Sequence, residues 1–194
     1  MQTRSRWGAV AVGLFGFVLS SGAIAPRTLA AQPSLVVLVR HGEKATEGGS
    51  DPSLSAAGRA RAQALADALA MTTPNAIIVT SLKRTAETAA VVSAKTGVVP
   101  TVITIGNGAK HIADVATAVR KATGVVLVVG HSNTVPAIVK ALGGPKLPDL
   151  CDSSYATMFV LTPGAEGKAA QVVLASYGAA DGPLLASCTG MVVK

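Results

Sequence analysis

Aromatic side chains are scarce. Phe, Trp and Tyr make up 3% of the 194 residues, and beyond residue 31 only Tyr155, Phe159 and Tyr177 remain. The remaining Lys and Arg are scattered and form no basic stripe. The chain therefore lacks both the stacking platforms and the concentrated basic face of a nucleic-acid reader, and nucleic acid is not expected as a partner. The formal charge of +7 overstates the basicity: Arg4, Arg6 and Arg27 lie in an N-terminal stretch without acidic residues, and subtracting those three leaves +4. Cysteine is also rare. Cys151 and Cys188 are the two present, with no CxxC partner and no metal-ligand companion nearby, so neither a thiol redox motif nor a zinc site is indicated. Repeats and low-complexity segments are absent from the sequence.

What is abundant is apolar residues, at 49%, enough for one well-buried domain over residues 31–194. The first 30 residues read as an export signal. Arg4 and Arg6 form a positive n-region, Gly8–Leu19 an apolar segment, and Thr28-Leu29-Ala30 a small-residue cleavage site. An uncleaved anchor is the alternative, because Gly8–Ala25 approaches the ~20 residues that span a bilayer. A membrane is a partner only in that case. Either way the folded part is expected outside the cytoplasm, periplasmic or extracellular. In an oxidising compartment Cys151 and Cys188 are expected to pair as a structural disulfide.

Short apolar runs alternate with helical patterns. Leu35–Val39 reads as a strand buried on both faces, as in the middle of a parallel sheet. Glu43–Ser53 is a polar loop, and Ser55 caps a helix reaching about Met71, with Ala62, Leu65, Ala66 and Leu69 inward and Arg59, Arg61 and Asp67 elsewhere. Strands follow at Ala76–Val79, Val98–Ile105 and Val125–Val129. Helices are expected at Leu82–Lys95, capped by Thr80-Ser81, at His111–Arg120, and from about Asn133 to Leu142. Tyr155–Leu161 and Ala170–Ser176 have the spacing of a hairpin. The expected fold is an α/β three-layer sandwich, a mostly parallel central sheet with helices on both faces and a C-terminal antiparallel hairpin.

Three strands end on reactive or anion-binding groups. The first stops on Arg40-His41-Gly42, the second leads through Thr80-Ser81 to Arg84, and the fourth stops on Gly130-His131-Ser132-Asn133. Parallel neighbours would bring all three ends to one sheet edge, where α/β folds bind ligands. Two guanidiniums, two imidazoles and two helix N-termini would meet there, with an anion as their natural guest. Arginine's fork matches phosphate oxygens, and a neutral imidazole can attack phosphorus to give a covalent phosphohistidine.

Four stretches then resemble one family in order and spacing: Leu38-Val39-Arg40-His41-Gly42-Glu43, Leu54-Ser55-Ala56-Ala57-Gly58, Ser81–Ala89, and Val129-Gly130-His131-Ser132-Asn133. Together they resemble the histidine phosphatase superfamily, in its phosphoglycerate-mutase-like branch 1. The resemblance implies a phosphoric ester hydrolase of the histidine acid phosphatase type, or one acting on phosphohistidine. It implies His41 as the phosphorylated nucleophile and Arg40, Arg84 and His131 as the phosphate pocket, aided by Ser132 and Asn133. The implied partner is a small phosphate-containing substrate, and no metal or organic cofactor is implied.

The chain departs from the family at the general acid. Relatives supply a carboxylate between the second arginine and the second histidine, but Ala90–Val129 holds only Asp114, a turn inside a helix. His111, at that helix's start, is the candidate acid, since imidazole transfers protons near neutrality. Glu43 is a weaker one. Three other readings compete. A pocket without a working acid would make a non-catalytic phospholigand binder, and a phosphoglycerate-mutase-type phosphotransferase is another. Gly130-His131-Ser132-Asn133-Thr134 also resembles a serine-hydrolase elbow, but Thr134 replaces its last glycine and no histidine follows Ser132.

Overall fold

The computed structural model describes residues 32–165, 168–183, 188, 190 and 191, all within the unit Ala31–Lys194. The expected leader and its cleavage site lie outside the described residues. The elements run β1 (Pro33–Arg40), α1 (Ala56–Ala68), β2 (Ala76–Thr80), α2 (Lys83–Thr96), β3 (Thr101–Ile103), α3 (Gly108–Lys121), β4 (Gly124–Gly130), α4 (Thr134–Ala141), β5 (Thr157–Thr162) and β6 (Gln171–Ser176). They form one six-stranded sheet in the order β3-β2-β4-β1-β5-β6. β3, β2, β4 and β1 are parallel, and β5 and β6 add the antiparallel hairpin beside β1. The expected fold class is the observed one. Among the described residues no helix is long and apolar enough to cross a membrane.

The unbroken apolar runs follow from two-sided burial. Successive strand residues point to opposite faces. Val36 and Leu38 of β1, with Ile78, Val126 and Val128, pack into a core that includes Val115 and Val119 of α3 and Val135, Ile138 and Val139 of α4. Val37 and Val39, with Ile77, Val79, Leu127 and Val129, pack into the second core, with Leu65 and Ala66 of α1 and Ala89 and Val92 of α2. A strand needed by both cores has no room for alternation.

Four local expectations are corrected. β3 is three residues long, not Val98–Ile105, and Val99 and Val102 are exposed; an edge strand with one partner is held over less of its length. α1 stops at Ala68, before Met71. Thr80-Ser81 does not cap α2. Leu82 is the cap residue and lacks a side-chain cap bond, while the Asp51 carboxylate accepts from the Lys83 N–H at 3.0 Å. Finally, Arg61 is buried. Its guanidinium donates to Glu43, closest at 2.7 Å, and to the carbonyls of Tyr177 and Ala179. A helix face reads as exposed from its charge alone, and only the folded chain shows that a carboxylate and two carbonyls await that cation.

Cys151 and Cys188 form the expected disulfide, with Cα atoms 5.6 Å apart. Ser55 caps α1 as expected, accepting from the Gly58 N–H. The start of α1 lies against the loop that follows β1. A Cβ on Gly58 would collide with the backbone of Glu43, and one on Gly42 would stand 2.8 Å from the Gly58 carbonyl. Backbone cannot yield as a flexible side chain does, so both positions need glycine. Gly58→Ala is expected to lower stability by about 1–3 kcal/mol, read as a lowered urea midpoint with unchanged m-value.

Candidate active site

The carboxyl ends of β2, β4 and β1 open on a cavity of about 590 Å³. Its walls include Arg40, His41, Arg84, His111 and His131, together with Ser132 and Asn133. The structure thus brings the residues expected for catalysis and phosphate binding to one place, with Glu43 left outside it. Register explains it: Arg40 pairs with Gly130 across β1 and β4, and the His41 N–H donates to the Gly130 carbonyl at 2.9 Å. The residues that follow, His41 and His131, then lie side by side, with ring centroids 5.2 Å apart and planes at 67°.

His41 is buried, and its Nδ1 lies 2.7 Å from the Gly42 carbonyl oxygen. A carbonyl only accepts, so Nδ1 carries the proton and Nε2 keeps its lone pair. Burial, joined by the charges of Arg40, His131 and Arg84, lowers the His41 pKa to about 3 despite the opposing Gly42 bond. Burial, with Arg84, His111 and Arg40, lowers that of His131 to about 4. Both imidazoles are neutral at neutral pH, and a neutral imidazole is the nucleophilic form. Two hydrogen bonds hold the backbone beside His41. The Gly42 N–H donates to Thr88 Oγ1 at 2.9 Å, and that hydroxyl donates to the Arg84 carbonyl at 2.7 Å.

The two arginines are held differently. Arg40 Nη1 donates to the carbonyls of Cys151, Asp152 and Ser154 at 2.9, 3.0 and 3.1 Å. Its guanidinium lies 4.0 Å from the centre of the Tyr155 ring, an attractive cation–π distance. Arg84 Nη1 stands 3.8 Å from the Asp51 carboxylate. In both arginines Nε is buried without a partner. A buried N–H without an acceptor is costly, and both residues line the cavity. Asp51 modifies one expectation: it already occupies the N-terminus of α2. The start of α4, with Ser132, Asn133 and Thr134 on the cavity wall, is the helix end left facing the guest.

His111 is buried in the first turn of α3, its Nδ1 3.3 Å from the Thr104 carbonyl and its Nε2 without a partner. Glu43 does not line the cavity. Burial raises its pKa, but the Arg61 hydrogen bonds outweigh that and hold it below the ordinary carboxylate value. It is removed as an acid candidate. Asp114 is bonded to Lys110. Lys44, Leu82, Ile105 and Asp152 also line the cavity and escaped sequence reasoning. Asp152, with its carboxylate 3.7 Å from Arg40 Nη2, and Tyr155 had a usable signal. They immediately precede β5, and β5 runs antiparallel to β1, so its beginning meets the end of β1.

Residues 36–106 match the family model of the histidine phosphatase superfamily, branch 1, in agreement with the resemblance carried by the motifs. The match takes in His41 and Arg84. The fold is shared with the protein histidine phosphatase SixA in complex with tungstate: TM-score 0.59, 19% identity, covering 73% of this chain and 96% of that one. It is also shared with a mycobacterial glucosyl-3-phosphoglycerate phosphatase, at TM-score 0.55 and 20% identity, covering 74% and 98%. The same mycobacterial enzyme with inorganic phosphate gives 0.52 and 22%, covering 75% and 97%. No curated protein matches in sequence.

The depressed pKa values fix a direction for pH dependence. A His41 pKa of about 3 means that the nucleophilic form persists above that value and is lost only as pH falls through it. With p-nitrophenyl phosphate, kcat/KM corrected for substrate ionisation is expected to hold from pH 7 down to about pH 4. An acid limb centred near pH 6.5, the ordinary imidazole value, would contradict this.

Proposed function

We propose that the chain is an exported phosphatase of the histidine acid phosphatase type, hydrolysing phosphomonoesters or phosphohistidine through a phosphohistidine on His41. The observation that carries the reading is the free Nε2 lone pair of a neutral His41 beside two arginines with unpartnered Nε–H groups. Arg40 and Arg84 receive the phosphoryl oxygens, and His131 and the start of α4 face the remaining charge. His41 Nε2 attacks phosphorus and the ester P–O bond breaks. His111 gives the departing oxygen its proton. Water, deprotonated by the same imidazole, then breaks the P–N bond and releases inorganic phosphate.

His111 is preferred as acid over Asp152, the carboxylate on the cavity wall. Asp152 is the anionic partner of Arg40, whereas His111 Nε2 is buried and unpaired. Support for export comes from the leader pattern at residues 4–30 and from the disulfide, which belongs to oxidising compartments. The shared fold with a phosphohistidine phosphatase and a phosphosugar-acid phosphatase supports small or flexible phosphorylated substrates, as does the poverty of aromatic residues for stacking a base.

The purified chain is expected to hydrolyse p-nitrophenyl phosphate, with His41→Ala losing roughly 10³-fold or more. Acid-quenched wild type should carry alkali-stable, acid-labile phosphate on His41. Label on serine would sink the mechanism, and phosphate binding without turnover on any phosphoester would establish a binder instead. Removal of the acid is expected to depend on the leaving group. His111→Ala should cost about 10²-fold with an alkyl phosphate and little with p-nitrophenyl phosphate, while Asp152→Asn keeps the wild-type ratio. Equal losses on both substrates would exclude His111 as the acid.

A further inference from the structure

We propose that the Cys151–Cys188 disulfide is a positioning device for Arg40, so that the grip of the cavity on phosphate depends on the oxidation state of the bridge. The proposal rests on the reading of the cavity as a phosphate site. Three carbonyls hold Arg40 Nη1, and all three come from the four-residue turn Cys151–Ser154. One belongs to Cys151 itself. One of the two guanidiniums of the cavity is therefore held by backbone that the bridge anchors.

The turn's other restraints are hydrogen bonds and the burial of Leu150, Cys151 and Ser154. Within it, the Ser154 N–H donates to the Cys151 carbonyl at 2.9 Å. Downstream, the N–H groups of Tyr155 and Ala156 donate to one oxygen of Asp181 at 2.7 and 2.8 Å. Upstream, the Leu150 N–H donates to the Ser132 carbonyl at 3.0 Å, so the turn is also tied to the residues that open α4. Laterally, a short parallel bridge joins Leu150 to Met191, whose N–H donates to the Asp149 carbonyl at 2.8 Å. Among the described residues the disulfide is the one covalent tie between this turn and the chain's end.

Chemistry gives the switch its direction. Cys151 is buried, and Cys188 is only half-buried, so an external dithiol reaches the bridge from the Cys188 side. Its first thiolate attacks the Cys188 sulfur and breaks the S–S bond, forming a mixed disulfide and releasing the Cys151 thiolate. The second thiolate then displaces Cys188. The reductant leaves as a disulfide, and two electrons and two protons end on the two protein thiols. The turn is then held by hydrogen bonds and packing without its cross-link, and the three carbonyls around Arg40 are less firmly fixed. Misplacing a phosphate donor by about 1 Å weakens what it holds, by as much as 10²-fold where alignment is critical.

The test uses the full chain, oxidised and after dithiothreitol, with thiols titrated and folding followed by circular dichroism. Inorganic phosphate binding is measured by calorimetry and KM with p-nitrophenyl phosphate. Reduction is expected to weaken phosphate binding and raise KM by about tenfold or more, reversibly on reoxidation. Cys188→Ser should sit at the reduced values and ignore dithiothreitol. Arg40→Ala, read by phosphate binding, should be weak in both states with no further change on reduction, since the bridge acts through Arg40. Equal binding and KM in the two states would overturn the proposal, as would an Arg40→Ala protein that still responds, or a reduced chain that unfolds altogether. If the oxidised chain neither binds phosphate nor hydrolyses the ester, the phosphate-site reading falls and takes this proposal with it. If it does both and reduction changes neither, the proposal alone falls.

Discussion

The in-register parallel pairing of β1 with β4 is the constraint from which the site follows. Residue for residue from Leu35↔Val125 to Arg40↔Gly130, it makes both strands end at the same level. The His41 N–H then finds the Gly130 carbonyl, and the two imidazoles become neighbours. A slip of one residue would turn Val36 and Leu38 to the opposite face and mismatch both cores. The same packing that buries the sheet therefore sets the distance between the two histidines. Stability and site geometry are here one requirement.

Around that pair the chain gathers cations, each with a carboxylate near it but beyond hydrogen-bond distance: Asp152 lies 3.7 Å from Arg40 and Asp51 3.8 Å from Arg84. Arg40 is held chiefly by carbonyl oxygens and an aromatic face, which fix a guanidinium without neutralising it. The two imidazoles respond by staying neutral, which removes two of the charges that would repel one another. The full pairing is reserved for Arg61 and Glu43, behind the cavity, where they bind the loop after His41 to α1 and to the carbonyls that follow β6. A pocket built this way is electrostatically unfinished until an anion enters.

Much of this was legible in the residues, for reasons that differ from element to element. β1, β2 and β4 could be read because a strand buried on both faces must be apolar throughout. The ends of those strands could be read because Arg40, His41 and His131 contrast so sharply with what precedes them. β3 could not, since Val98–Ile105 has the composition of a strand whether or not it finds two partners. Arg61 was misplaced because burial of a cation depends on acceptors from 18 to 118 residues away. Glu43 looked available as an acid for the same reason. Its partner sits on a helix whose rotation the sequence does not specify.

The sequence by itself determined the sheet, the order of its elements and the chemical kinds of group at its edge, since hydrophobic periodicity and residue type are local properties. The pairing of Cys151 with Cys188 was likewise expected from counting, because no other cysteine competes. Tertiary structure alone decided which donors remain free, which carboxylate is already bound, and that the turn after Leu150 encloses Arg40. Those outcomes depend on groups meeting across 18 to 118 positions of chain. His111 marks the boundary between the two. The sequence placed it at the start of a helix, but only the packing of α3 against the cavity turned a surface position into a buried wall with one nitrogen still unpaired.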